Sequence, residues 1–294
     1  MELRVLRYFL MVAQEENITR AAALLHLTQP TLSRQMMQLE DELGVQLFQR
    51  SRHSMQLTEE GFRFKQRAQE IVALADKTLA EFSHHEEALS GEIAIGCGET
   101  QSMSFLSEKM RRFRALYPQV RFQIHSATAG DIKDKIEQGL WDLGLLTEPV
   151  EVAKYEFIRM PARELWGVLV PKTSPLAEQS YVTAKDLTGV PLLLPGRETV
   201  QHELSAWFGT YADDLEIAAT YSLIVNAANM VRHHVGVALC FEMDFQYETL
   251  TFVPLTPVLE TGAVVVWKKN QLFQPATQQF IAFLSHRDEA FLEM

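Results

Sequence analysis

Apolar positions along the first 57 residues recur at helical spacing in short runs divided by breaks. Residues 2–15 read as an amphipathic helix that buries Leu3, Leu6, Leu10 and Ala13. A second helix starts at Thr19, which is placed to cap it, and Ala21 to Leu25 keep it slim and apolar. His26-Leu27 breaks the run. Thr28 then caps a third helix with Pro30 in its first turn, where a missing N–H costs nothing. Leu32, Met36, Leu39 and Leu43 form its buried stripe, and Gly44 is the expected left-handed stop. Val45–Arg50 and Met55–Leu57 are short extended pieces around the basic tip Ser51-Arg52-His53-Ser54.

Thr58 opens a much longer helix. No Pro occurs from there until Pro118, and no Gly between Gly61 and Gly91. Some thirty residues of helix span about 45 Å, more than a compact domain needs. Phe64, Ala68, Ile71, Ala75, Leu79, Phe82 and Leu89 make one roughly heptad-like seam. A long helix with a single apolar seam requires a partner, and an identical helix is the simplest one.

From Ser90-Gly91 onward the period alternates between strand and helix. The order is strand 93–97, helix 102–117, strand 120–125, helix 131–138, strand 142–146. A second set follows: strand 165–170, a short helix at Lys185-Asp186-Leu187, strand 190–194, helix 200–208, strand 216–221, helix 225–234, strand 237–241. Strand 263–267 and helix 276–285 close the chain. Such alternation implies α/β architecture, with mainly parallel sheets and helices on both faces.

Two helices joined by a tight turn, with polar and basic residues opening the second, have helix-turn-helix character. Gln29, Arg34 and Gln35 are types that read base edges, while Thr28, Thr31 and Ser33 offer hydroxyls to phosphate. Thr28 and Pro30 set the entry of that helix, and Arg50 and Arg52 flank it on a wing beside the phosphates. The run A-A-x-L-L-H-L-T-Q-P-T-L-S-R-Q, with L-E-D-E-L-G-V-Q-L-F-Q-R and L-T-E-E-G after it, closely resembles the DNA-binding domain of LysR-type transcriptional regulators. The resemblance covers about the first sixty residues. Gly139-Leu140-Trp141-Asp142-Leu143 and Met230 to Leu239 are similar to two corners of that family's effector domain. His234 and Phe241 stand where the family often has Gly and Pro.

The resemblance implies a winged helix-turn-helix over 1–58 and a linker helix over 59–89 that pairs subunits through Ile71, Ala75, Leu79 and Phe82. It also implies a two-lobed, periplasmic-binding-protein-like effector domain over 90–294. Lobe one would be 90–161 with 267–294, and lobe two 162–266. The implied function is sequence-specific DNA binding modulated by a small molecule held between the lobes. Double-stranded DNA, a small-molecule effector, a second copy in a homodimer or homotetramer, and RNA polymerase for an activator are the expected partners.

Ligands of open parallel sheets bind beyond the carboxyl ends of the strands. Those ends supply Glu99, Thr100, Gln101, Ser102, Thr128 and Glu148 from lobe one, and Pro195, Gly196, Thr199 and Glu242 from lobe two. Arg197 is the basic residue set against these acids, which points away from an anionic effector.

Charge and composition add boundaries. The net charge is −11, but the first 67 residues hold nine Lys/Arg against eight Asp/Glu. The acidic excess therefore sits away from the DNA-facing helix. No run approaches the roughly 18 apolar residues of a membrane span, and the start lacks a signal-peptide pattern, so a cytoplasmic protein is expected. No G-x-S-x-G elbow, phosphate-binding glycine loop, H-E-x-x-H or C-x-x-C is present; neither an enzyme, a cofactor nor a metal site is expected. The alternatives are a DNA-binding regulator without an effector, or a redox response through Cys97 and Cys240, both in apolar strand-like contexts without a basic neighbour.

Overall fold

The computed structural model describes residues 1–50, 55–82, 89–244 and 247–285. The chain divides into two compact units, Met1–His85 and Glu86–Met294.

In the first unit, α1 (Leu3–Glu15), α2 (Ile18–Leu24) and α3 (Gln29–Leu43) precede a hairpin of β1 (Phe48–Arg50) and β2 (Met55–Leu57), and α4 (Glu59–Phe82) follows. The strands pair antiparallel, Phe48 opposite Leu57. The core stripe of α1 is Leu6, Phe9, Val12 and Ala13; Leu3 is exposed and Leu10 only half-buried, because the helix face is rotated toward the Phe48 and Phe64 rings that flank Phe9. The cap of α2 is Asn17, whose side chain accepts from the Arg20 N–H, not Thr19. Leu43 is exposed, so the α3 stripe ends at Leu39. Gly44 takes the left-handed stop, φ 69°.

Local hydrogen bonds explain the polar residues of this unit. The Glu40 carboxylate accepts from the N–H groups of Leu47 and Phe48, at 2.8 and 3.1 Å, and so fixes the entry to the hairpin. Thr58 accepts the Gly61 N–H and donates to the Gln46 carbonyl. A side chain at Gly61 would collide with the Leu47 carbonyl oxygen, which is why α4 begins with glycine in its first turn. Phe64 and Ala68 pack into this core and are not part of an outward seam.

The second unit contains two sheets. The first combines β3 (Gly91–Cys97), β4 (Val120–Ser126), β5 (Leu143–Thr147), β6 (Tyr155–Arg159) and β13 (Ala263–Lys268) in the order β4-β3-β5-β13-β6. Helices α5 (Ser102–Leu116), α6 (Ala129–Glu137) and α9 (Pro275–Ser285) belong to it. The second sheet has β7 (Glu164–Pro171), β8 (Leu192–Pro195), β9 (Ile217–Tyr221), β10 (Val237–Phe241) and β11 (Leu250–Pro254) in the order β11-β7-β10-β8-β9, with β12 (Glu260–Thr261) on β7. Helices α7 (Glu198–Phe208) and α8 (Ile224–Arg232) pack on its opposite faces.

The sheets are mixed rather than mainly parallel: β3 pairs parallel with β4 and β5, but β13 runs antiparallel to β5 and β6, and β7 antiparallel to β10 and β11. Strands β6, β11 and β12 were not foreseen from periodicity. The chain passes from the first sheet to the second between Arg159 and Glu164. It comes back to the first sheet after Gly262, since the whole of β13, which includes Trp267, lies in that sheet.

Candidate functional site

In the first unit α3 buries Leu32, Met36 and Leu39 and turns the opposite face to solvent. Thr28, Gln29, Pro30, Thr31 and Arg34 are exposed, and Ser33 and Gln35 half-buried. Thr28 holds the N-cap position but makes no side-chain cap; its hydroxyl bonds instead to the Thr31 hydroxyl at 2.8 Å. Gln35 donates to Gln38 at 3.1 Å. Arg34 makes no hydrogen bond or ion pair among the described residues, which leaves its guanidinium available to a partner. Arg50 ends β1, opposite Met55. Arg52 and the rest of the wing tip lie outside the described residues.

On α4 the exposed large apolar residues are Phe62 in the first turn and, further along, Ile71, Leu74 and Leu79, at 39%, 43% and 61% exposure, with Ala75 half-buried. The side chain of Phe82 lies outside the described residues.

A cavity of about 690 Å³ lies between the lobes of the second unit. Five of the ten expected residues line it: Glu99, Thr100, Thr128, Pro195 and Gly196, together with Arg197. Its walls are otherwise mostly apolar, with Trp166, Phe241, Met230 and Met243 prominent. Gln101, Ser102, Glu148, Thr199 and Glu242 do not line it. Thr199 points to solvent. Glu148 packs at Gly262 and faces Arg159 at 3.7 Å. Glu242 belongs to a neighbouring hollow beside Lys172 and Tyr247.

Gln101 and Ser102 are absent from the cavity for a specific reason. The Glu164 carboxylate, fully buried at the start of β7, accepts from the Gln101 N–H at 2.8 Å, the Ser102 N–H at 2.9 Å and the Ser102 hydroxyl at 2.5 Å. A side chain from lobe two thus caps α5 of lobe one. Charge-assisted bonds to a helix N-terminus are favourable both as hydrogen bonds and through the helix dipole. Sequence reasoning missed Glu164, since a single acid before an apolar strand carries no signal of burial.

Three further contacts cross the cleft. The Ile224 N–H, in the first turn of α8, donates to Glu99 Oε2. Arg197 Nη1 donates to the Thr147 carbonyl at 2.8 Å, and Nη2 to the Pro149 carbonyl. Gln101 Nε2 donates to Asp244 Oδ1 at 2.7 Å. Burial lowers the pKa of Arg197, opposed by the nearby Glu203 carboxylate, and burial raises that of Glu203. Tyr221, which donates to the Leu239 carbonyl at 2.6 Å, is also pushed up by burial.

The two cysteines sit in different cores, Cys97 in the first sheet and Cys240 in the second. Burial raises both thiols, that of Cys240 to about 12, and so disfavours their thiolate forms.

A winged helix-turn-helix in one unit and a cleft-bearing, two-lobed α/β fold in the other define a DNA-binding regulator with a ligand-binding domain. The model of the bacterial regulatory helix-turn-helix protein, lysR family, matches residues 3–62, and that of the LysR substrate binding domain matches residues 86–289. The Hca operon transcriptional activator HcaR of Escherichia coli K12 is 30% identical, over 98% of this chain and 98% of that protein. The transcriptional activator IlvY of Salmonella typhimurium is 29% identical over 83% of each. Crystal structures of the LysR family regulator CbnR, alone and with its target DNA, superimpose with TM-scores of 0.78 at 22% and 21% identity. They cover 97% and 96% of this chain, and 98% of CbnR in each case. The chain belongs to the LysR family and is a DNA-binding transcriptional regulator.

Proposed function

We propose that the protein regulates transcription as a dimer or dimer of dimers whose DNA binding responds to a small molecule in the cavity between its lobes. The observation that carries this reading is the set of cross-cleft contacts around that cavity, Glu99 to Ile224 and Arg197 to Thr147 and Pro149. A ligand that makes or breaks them shifts the relative populations of lobe arrangements, which is the thermodynamic requirement for an effector.

On the DNA side, Arg34, Gln29 and Gln35 meet base edges or the backbone in the major groove, with Ser33 and Thr31 on phosphates. Thr28 and Pro30 hold the helix entry, and Arg50 and Arg52 flank it along the wing. On α4, Ile71, Ala75, Leu79 and Phe82 face the second copy. As an activator it would also meet RNA polymerase, and its place is the cytoplasm. Among the described residues no helix is long and apolar enough to cross a membrane.

Catalysis has little to work with in this cavity. Among the described residues its charged lining residues are Glu99 and Arg197, both bonded across the cleft, and burial holds the Cys240 thiol protonated at neutral pH. The Glu242, Glu148 and Thr199 side chains lie elsewhere.

The test is footprinting and gel-shift titration on DNA upstream of the protein's own coding region, with and without candidate small molecules. Arg34→Ala is expected to weaken specific binding by about 1–3 kcal/mol while leaving fold and dimer intact. Unchanged operator affinity would remove Arg34 from the interface. DNA binding indifferent to every compound that binds the second unit would reduce the protein to a regulator without an effector.

A further inference from the structure

Helix α3 carries one large apolar side chain on its solvent side. The core stripe is Leu32, Met36 and Leu39, each buried. Leu43, 36% exposed, continues that stripe by one turn and lies open at the last position of the helix. Met37 is different. It follows directly on the fully buried Met36, is turned about 100° away from it, and is 43% exposed.

Helical spacing fixes its neighbours. Met37 stands three residues after Arg34, four after Ser33 and seven after Pro30, so these residues share one face. That is the face read above as meeting the major groove. One turn further along lies Asp41, exposed, whose carboxylate repels phosphate. The acids beside it are engaged within the protein. Glu40 accepts from the Leu47 and Phe48 N–H groups, and Glu42 faces the terminal amine of Met1 at 2.6 Å. Gln38 is bonded to Gln35. Met37 is therefore the last residue on this face before an acid, one turn beyond Arg34.

The chemistry of the position narrows its partner. A methionine side chain is long, flexible and apolar, and its thioether is only a weak acceptor. The major groove presents donors, acceptors and one kind of apolar group, the C5-methyl of thymine. A methionine seated there gains where that methyl takes it out of water. Over any other base it displaces water from a polar edge and returns no hydrogen bond.

We infer that Met37 is a specificity-determining residue that selects thymine through van der Waals contact with its C5-methyl group. The inference rests on the DNA-facing reading of α3 above, and adds to it a residue and the base that residue selects.

The test uses the full chain and duplexes that it enriches from a random-sequence DNA library. In an enriched duplex each thymine is replaced in turn by deoxyuridine, which removes the methyl and keeps every donor and acceptor of the base edge. Gel-shift titration at one fixed salt concentration is expected to find a thymine whose replacement weakens wild-type binding about fourfold, equivalent to the ~0.8 kcal/mol of one buried methyl-sized group. In Met37→Ala, whose side chain is too short to reach the methyl, the same replacement is expected to change affinity by less than about 1.5-fold. Met37→Leu is expected to keep the sensitivity. Both variants alter an exposed side chain and retain the fold.

Uracil tolerated at every position by the wild type, or an equal loss in wild type and Met37→Ala, would overturn the inference. Arg34→Ala separates it from the reading beneath it. Weakened binding in that variant, with no Met37-dependent uracil effect, removes Met37 alone. Unchanged affinity in both Arg34→Ala and Met37→Ala, or enrichment of no sequence at all, takes α3 away from specific DNA contact and overturns both.

Discussion

Replacing Glu164 tests whether an internal carboxylate, and not a ligand, completes α5. In Glu164→Gln the best amide orientation keeps its oxygen at the Oε1 position, retaining the two Ser102 donors. The amide nitrogen then faces the Gln101 N–H, donor against donor, and that bond is lost. One charge-assisted bond is worth about 1.5–3 kcal/mol, and removing the negative charge from a helix start adds roughly 0.5–1 kcal/mol. The expected loss is therefore about 3 kcal/mol. Glu164→Ala removes all three acceptor contacts and leaves buried donors without partners, so it is expected to cost about 5 kcal/mol, at the upper end for breaking a buried charged contact.

A single unfolding free energy is not defined for a chain of two units, but the probe can be local. All four tryptophans, Trp141, Trp166, Trp207 and Trp267, belong to the second unit, so their fluorescence follows its unfolding alone. With a urea slope near the upper end for small proteins, roughly 3 kcal/mol/M, the Gln variant shifts the midpoint down by about 1 M. Hydrogen exchange at the Gln101 and Ser102 amides should accelerate in parallel. A midpoint shift below about 0.3 M, with unchanged exchange at those two amides, would refute the assignment of Glu164 as the cap.

Three further outcomes are expected. His234 holds a left-handed backbone, φ 59°, directly after α8, so His234→Gly is expected to raise the stability of the second unit by up to about 1 kcal/mol, read from the same tryptophan signal; a loss would mean that the imidazole has a packing role. Both buried thiols stay protonated at neutral pH, and because their pKa values are raised, reactivity should increase only as pH climbs toward about 12 for Cys240. Native protein treated with iodoacetamide at pH 7.5 should resist labelling until unfolded, whereas labelling at the rate of a free thiol would reopen a redox role. Ile71→Glu with Leu79→Glu places charge on the outer seam of α4 and is expected to dissociate the dimer; sedimentation showing an unaltered dimer would place the interface elsewhere.

The first unit was largely legible in the chain because its determinants are local. Leu32, Met36 and Leu39 recur at helical spacing, Gly44 takes the left-handed stop, and Thr58 with Gly61 opens α4. Each depends on neighbours a few residues away, or on a stripe that any amphipathic helix displays. The motif that resembled the LysR family lies in this same local code.

In the second unit the strands and helices were legible, but their assembly was not. Period-two alternation identifies Ala263–Lys268 as a strand, yet only its pairing with β5 and β6 returns the chain to lobe one at Gly262. Likewise the sequence marks Ser102 as a helix start without showing what fills it. The filler is Glu164, 62 residues away, and Ile224 meets Glu99 across 125 residues. A helix terminus presents free N–H groups wherever it occurs, so its existence is a local property; which acceptor reaches them depends on long-range packing that closes the two sheets on one another.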